Sequence, residues 1–342
     1  MKNFKRKLSA IALSTIFATM QVSFASTDIG LGSDHGGAVI DSHSGGLVNI
    51  DGVGTSTVDL NFNANTHVKW DTLNVDNGET LNFNAVGGAN GLTILNTVQN
   101  NMTGVYGQIN ANSGIGQLII SNPNGVFFDG AKFMTAADCD LTVTTQNMSN
   151  LSVNDLSNAK FSQLYDSSNN LIPVRIINNS DFNVGGDYTI IAPLIDMSSS
   201  KITANTLKLV TANGQDYVQL SAVTPVNNKG VTFLEAMNID GDVVITNDVG
   251  AMTTTKGGTI NGNLTVNTAG NTILNKEDGN QKLIVNGDTN ITSKGVQTFF
   301  RNADVAGDLN VSSSGGFVDV GNVNVDGDAN LTTTGVETRA GH

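Results

Sequence analysis

The sequence predicts an all-β chain wound as a right-handed parallel β-helix. Three observations carry that expectation. The chain holds 38 Gly but only 4 Pro, its aromatic content is 6%, and Asn, Thr, Val and Ile recur throughout. That is a vocabulary of strands and turns. A unit of about twenty residues repeats in the C-terminal third, and no long segment of 3.6-residue period follows the first 25 residues.

"IDGDVVIT" (239–246), "INGNLTVN" (260–267), "VNGDTNIT" (285–292), "VAGDLNVS" (305–312) and "VDGDANLT" (325–332) are variants of one unit, with "VGGDYTII" (184–191) an earlier relative. Gly241, Gly262, Gly287, Gly307 and Gly327 align at intervals of 21, 25, 20 and 20 residues. Alternate Val, Ile and Leu can point inward while Thr, Asn, Ser and Asp point out. Twenty residues cannot bury their own apolar face, but stacking each unit on the next buries it and pairs the backbone. Parallel crossovers wind right-handed. The expected rod has about fifteen rungs spaced by roughly 4.8 Å. Asp242, Asp288, Asp308 and Asp328 are expected as turn residues, since calcium-binding rolls repeat at nine residues instead.

The first 25 residues stand apart. Lys2, Lys5, Arg6 and Lys7 precede the apolar run "LSAIALSTIFATMQVSF", and small residues close it. This is the layout of a secretory signal, cut between Ala25 and Ser26. Losing its four positive charges takes the formal charge from −13 to −17. A chain so acidic is not expected to neutralise phosphates, which argues against nucleic acid as a partner. No later apolar run approaches the length of a membrane span.

Residues 55–84 alternate apolar and polar, so strands are expected there. Trp70, the only tryptophan, is expected near the start of the rod, where a terminal rung needs cover. Further on, "IISNPNGVFFDGAKF" (119–133) sets a rigid corner between two apolar strands. Asn122 suits the first turn position, Pro123 presets φ at the second, and Gly125 closes the turn. Cys139, the only cysteine, shares parity with Phe133, Leu141 and Val143, and reads as a small buried hydrophobe.

At this point the residues carry a resemblance. "VKWDTLNVDNGETLNFN" (68–84), "ILNTVQNNMTGVYGQINANSGIGQLIISNPNGVFFDGAKF" (94–133) and "VRIINNSDFNVGGDYTIIAPLIDMSSSKITANTLKLVTANG" (174–214) resemble the N-terminal secretion domain of two-partner-secretion exoproteins. These are the filamentous-haemagglutinin and high-molecular-weight adhesins of Gram-negative bacteria. The resemblance runs over about residues 27–215. Its central motif falls on Asn122, Pro123, Asn124, Gly125 and Val126, with Val in place of the commoner Ile. A second motif falls on Trp70, Asn74 and Gly78, with Leu73 in place of Phe.

The resemblance implies a division into a signal (1–25), a two-partner-secretion domain of haemagglutination-activity type (26–215) and β-helix repeats (216–342) continuing a longer rod. It implies a capped start; antiparallel pairs are expected only there and in short extra-helical hairpins. It also implies export by the general secretory machinery and recognition in the periplasm by a dedicated outer-membrane β-barrel transporter. The passenger would be an adhesin or haemagglutinin at the cell surface or secreted, meeting receptors on host or bacterial cells. A stalk for contact-dependent growth inhibition shares the same N-terminal domain. The Asn-Pro-Asn-Gly corner would nucleate the first rungs or touch the transporter.

Polysaccharide lyases and hydrolases also use parallel β-helices. They need clustered carboxylates and a basic group. After the signal, Arg occurs only at 175, 301 and 339, and Glu only at 79, 235, 277 and 337. His35, His43, His67 and His342 have no metal-ligand spacing. The expectation is therefore a binding protein rather than an enzyme, with no cofactor and no metal.

Overall fold

The structure is a computed structural model of the chain. It describes residues 26–211, 232–247, 253–275, 281–334 and 338–341. The Ala25 half of the expected cleavage site and the 215/216 domain boundary lie outside the described residues. Among those residues the protein is all-β, its one helix being a three-residue 3-10 turn, Ser33–His35.

Most strand pairs are parallel, and they form three ladders. The first runs from Thr57–Phe62 through Thr80–Ala85, Gln108–Ala111 and Lys132–Thr135. It continues to Leu283–Val285, Ala303–Val305 and Val323–Val325. The second runs from Thr66–Trp70 through Leu92–Thr97 and Asp140–Thr144 to Leu309–Ser313 and Ala329–Thr333. The third runs from Asn74–Val75 through Thr103–Val105 and Val126–Asp129 to Phe317–Gly321 and Thr338–Gly341. The chain visits the three ladders in turn and returns to the first beside the strand it left.

Each ladder holds eleven strand segments among the described residues, fewer than the fifteen expected. Two things account for the difference. Early circuits are longer: Asn82 meets Asn110, 28 residues on, whereas Asn290 meets Asn310 after 20. Residues 26–56 and 145–172 also lie outside the ladders. The first group builds a cap, in which Val39–Asp51 pairs antiparallel with Thr57–Thr72 across several register shifts. The second forms isolated antiparallel bridges such as Asn147–Lys160 and Tyr165–Leu171. Antiparallel pairing is thus confined to the places the sequence reading allowed.

Parity sets the core. Val243, Ile245, Leu264, Val266, Leu309 and Val311 are all buried, and Asn310 stands half-exposed in register between Asn290 and Asn330. The amides of those three asparagines bond along the stack at 3.1 Å. Phe133, Phe182 and Tyr188 stack through the interior with centroids 5.5 and 5.3 Å apart. Such offset aromatic stacks add specificity to simple burial.

The repeated Gly-Asp pair does something beyond turn chemistry. The carboxylate of Asp288 accepts the backbone N–H of Asp308, one circuit later, and Asp308 does the same for Asp328. A Cβ on Gly307 would lie 2.2 Å from Asp288 Oδ1, and one on Gly327 2.3 Å from Asp308 Oδ1. Backbone atoms confine the same positions, with Gly287 C 2.8 Å from a Cβ on Gly307 and Gly307 O 2.8 Å from one on Gly327, so glycine is required by the close approach of the preceding circuit. Its own backbone conformation does not demand it, since neither glycine has a positive φ. Asp288, Asp308 and Asp328 lie at the bends between strands, as read, and the carboxylates of Asp288 and Asp308 also clip one circuit to the next; Asp242, which does the same for Asn263 N–H, lies within a strand, a correction to its reading as a turn residue.

Candidate functional site

The corner at 122–125 forms as its residue types dictate. Gly125 N–H closes the turn on Asn122 O at 3.0 Å, with Gly125 at φ +107°. Asn122 is fully buried and uses its whole side chain. Its Nδ2 donates to Asn101 O and Thr103 Oγ1, both at 2.9 Å, and its Oδ1 accepts the N–H of Asn124 at 2.8 Å. Asn101 and Thr103 belong to the preceding circuit, so this side chain joins two circuits as well as shaping its own turn. Val126 then enters the third ladder between Thr103 and Val174, fully buried.

The two asparagines are not equivalent. Asn124 is partly exposed; its Nδ2 reaches Gln99 O at 3.1 Å and its Oδ1 accepts only a long 3.4 Å bond from Gln163. Gln163 belongs to the segment 145–172, which leaves the ladders and covers their outer face. Met148 packs there on Leu95 and Ile119, with Leu151, Val153 and Leu156 around it. The segment is tied down where Ser121 Oγ donates to Gln146 O at 2.6 Å.

The second motif lies at the cap. Trp70 is fully buried, and its Nε1 donates to Asn96 Oδ1 at 2.9 Å. It sits between Ile40 of the cap and Val98 of the next circuit, at the start of the ladders as expected. Asn74 fastens the cap: its Nδ2 donates to His35 O and Gly37 O, and its Oδ1 accepts Gly104 N–H at 2.8 Å. Gly78 has φ +84° with open space around it, so it is chosen for backbone conformation.

Sequence reasoning missed three residues here. Asp76 Oδ2 accepts Asp34 N–H at 2.7 Å, and its Oδ1 lies 2.5 Å from His35 Nδ1. Glu79 Oε2 accepts the N–H groups of Gly32 and Asp76. The ring of His35 lies stacked on Tyr106, centroids 4.0 Å apart. Burial raises the Tyr106 pKa, with Asp129 and Asp76 adding to it. The His–Asp pair has the composition of an acid–base dyad, yet both oxygens of Asp76 and one ring face of His35 are engaged in holding the cap. The signal was present in the sequence as acids flanking the tight "DNGE" turn (76–79), where Glu79 N–H bonds Asp76 O at 3.0 Å. Ser26 is exposed, one residue before Thr27 pairs with Ile40.

Comparison with known proteins adds a likeness of shape. No family profile and no curated protein matches the chain by sequence. Among solved structures it is similar to the HMW1 secretion domain from Haemophilus influenzae. The likeness covers 86% of this chain and 90% of that one, with a TM-score of 0.49 and 14% identity.

Cys139 is fully buried, and burial raises its thiol pKa to about 11. Among the described residues, no group of three or more His, Cys, Asp or Glu side chains is placed to hold a metal ion. No helix among them is long and apolar enough to cross a membrane.

Proposed function

We propose that this chain is a Gram-negative exoprotein of the two-partner-secretion kind, built as a right-handed parallel β-helix with an N-terminal cap. Its first part directs export through a dedicated outer-membrane β-barrel, and its passenger is displayed at the surface or released as an adhesin. In this reading the protein is not an enzyme and needs no cofactor.

One observation carries the reading. The two motifs on which the resemblance rests, at Trp70–Gly78 and Asn122–Val126, are the joints that fix the cap and the early circuits to one another. A domain recognised during export and folded outside needs such joints near its leading end, because later circuits can only add to an ordered template.

The test is expression of the full chain in a Gram-negative host, with and without a two-partner-secretion barrel transporter from the same source. The expected result is secreted protein beginning at Ser26 only when the barrel is present. Equal secretion without the barrel, or mature protein retaining Met1, would falsify the reading.

A further inference from the structure

Beyond export, we infer that the Asn77–Gly78 turn is a self-modifying site, at which Asn77 loses its side-chain amide to the following backbone nitrogen, and that Asn90–Gly91 is a second. The reaction needs only water. The backbone nitrogen of Gly78 attacks Cγ of Asn77 and gives up its proton. A C–N bond forms, the bond from Cγ to Nδ2 breaks, and ammonia leaves. Water then opens the five-membered imide. Opening at Cγ gives aspartate. Opening at the backbone carbonyl carbon of Asn77 gives isoaspartate, in which the main chain runs through the former side chain.

Ring closure makes three demands. Glycine must follow the asparagine, since any Cβ hinders the attack. The glycine nitrogen must not already be donating a hydrogen bond. The backbone between the two residues must be free to rotate. Among the described residues, glycine follows Asn77, Asn90, Asn124, Asn261 and Asn286. The fold separates these pairs. Asn77, Gly78, Asn90 and Gly91 are all exposed. Neither the two asparagine side chains nor the two glycine N–H groups bond to another described residue. No atom beyond the chain neighbours lies within 4 Å of where a Cβ on Gly78 or Gly91 would stand.

The other three pairs are held. Gly125 N–H donates to Asn122 O at 3.0 Å, and Asn124 Nδ2 donates to Gln99 O. Asn286 Nδ2 donates to Asn261 Oδ1 at 2.8 Å. The glycines of these two pairs are wedged against the preceding circuit: a Cβ on Gly262 would lie 2.4 Å from Gly241 O, and one on Gly287 2.7 Å from Gly262 O. Main-chain bonds fix both sides of the last pair, from Asn286 N–H to Ile260 O and from Gly307 N–H to Gly287 O.

Asn77 is the site with a consequence. It lies between Asp76 and Glu79, whose carboxylates hold the cap through Asp34 N–H, His35 and Gly32 N–H. Conversion places another negative charge between theirs. Isoaspartate also inserts a methylene into the turn that Glu79 N–H closes on Asp76 O. The cap should therefore loosen as the protein ages.

The test is ageing of the purified full chain for days at pH 8, followed by digestion and tandem mass spectrometry at each site. Labelling by an isoaspartyl methyltransferase reads isoaspartate separately. Asn77 and Asn90 should convert about tenfold faster, or more, than Asn124, Asn261 and Asn286, since the held pairs react only when local structure opens. In urea all of them should convert alike. Aged parent should melt earlier than fresh protein, while Asn77→Ser aged beside it should keep its melting temperature. The proposal is overturned if native Asn77 or Asn90 keeps its amide for as long as Asn124 does. It is equally overturned if the same spread of rates persists in urea, which would assign it to neighbouring residues and not to the fold. The loosening of the cap is overturned if converted parent melts like fresh protein, or if aged Asn77→Ser falls as far. Secretion is not a readout here, so failure of the export reading would leave this result standing.

Discussion

Asp288 and Asp308 are joined across one circuit, the carboxylate of the first accepting the backbone N–H of the second at 2.8 Å. Asn263 makes the same bond to Asp288 N–H, also at 2.8 Å. An amide oxygen therefore serves this position as well as a carboxylate. Asp288→Asn should leave the melting temperature near that of the parent. Asp288→Ala should cost about 1 kcal/mol, the typical worth of one bond of this kind. Equal melting of the Ala variant and the parent would show that the clip adds nothing to stability.

Asn122 and Asn124 should separate folding from export. Asn122→Ala removes three bonds of a buried side chain, and a loss of about 3 kcal/mol is expected. Asn124→Ala removes one exposed bond to Gln99 O and the long one from Gln163, and should cost roughly 0.5–1 kcal/mol. Secreted yield measured beside melting temperature decides the role of the corner. If Asn124→Ala keeps its melting temperature but loses secretion, the corner touches the transporter. If yield merely follows stability across both variants, it acts through folding alone.

Leu264 is fully buried in the second ladder, between Val243 and Thr289. Leu264→Asp places an unpaired carboxylate in the core and should cost several kcal/mol. Thermal denaturation followed by circular dichroism measures it. An unchanged transition would contradict the inward orientation.

His67 should give the protein an acid-side weakness. Burial, with Lys69 adding to it, lowers its pKa from 6.5 to about 4. The unfolded chain binds this proton below pH 6.5 while the folded chain does not until about pH 4. Stability should therefore fall as pH drops through that window and level off below it. The loss is expected at about 2 kcal/mol, allowing for partial solvent access to the ring. Comparing the parent with His67→Gln by denaturant titration at pH 7 and pH 4.5 tests this; an identical loss in both would assign the acid sensitivity elsewhere.

Cys139 should be inert. With its thiol pKa near 11 and its side chain buried, a disulfide reagent at pH 8 should react slowly with native protein and fully after denaturation. Rapid reaction of the native form would show that the site opens.

The sequence made the repeating half of the fold legible because period and parity are local quantities. A twenty-residue interval and alternating Val, Ile and Leu need no knowledge of distant partners, and Leu264, Val266, Leu309 and Val311 fell inside as read. The Asn122–Gly125 turn was legible for the same reason. What escaped were relationships between residues some forty positions apart, such as Asp76 with His35 and Glu79 with Gly32. Charge and spacing alone left these looking scattered. The segment 145–172 escaped as well, since Met148 and Leu151 find their apolar partners on the outside of the second ladder, where alternation predicts polar residues. The lesson of Gly307 is subtler. The twenty-residue spacing marks this glycine, but its reason is the backbone and carboxylate of the circuit before.

The constant twenty-residue circuit over Asn290, Asn310 and Asn330 restricts how this gene can change length. Deleting residues 287–306 would remove one circuit and bring Gly307 onto the place of Gly287, with every inward side chain still inward. Deleting one residue fewer would leave the chain out of step, and all that followed would present its apolar face to water. Insertions and deletions in this region should therefore be quantised. Descendants of this sequence would be expected to differ by whole circuits, growing or shrinking as a stack of interchangeable plates does.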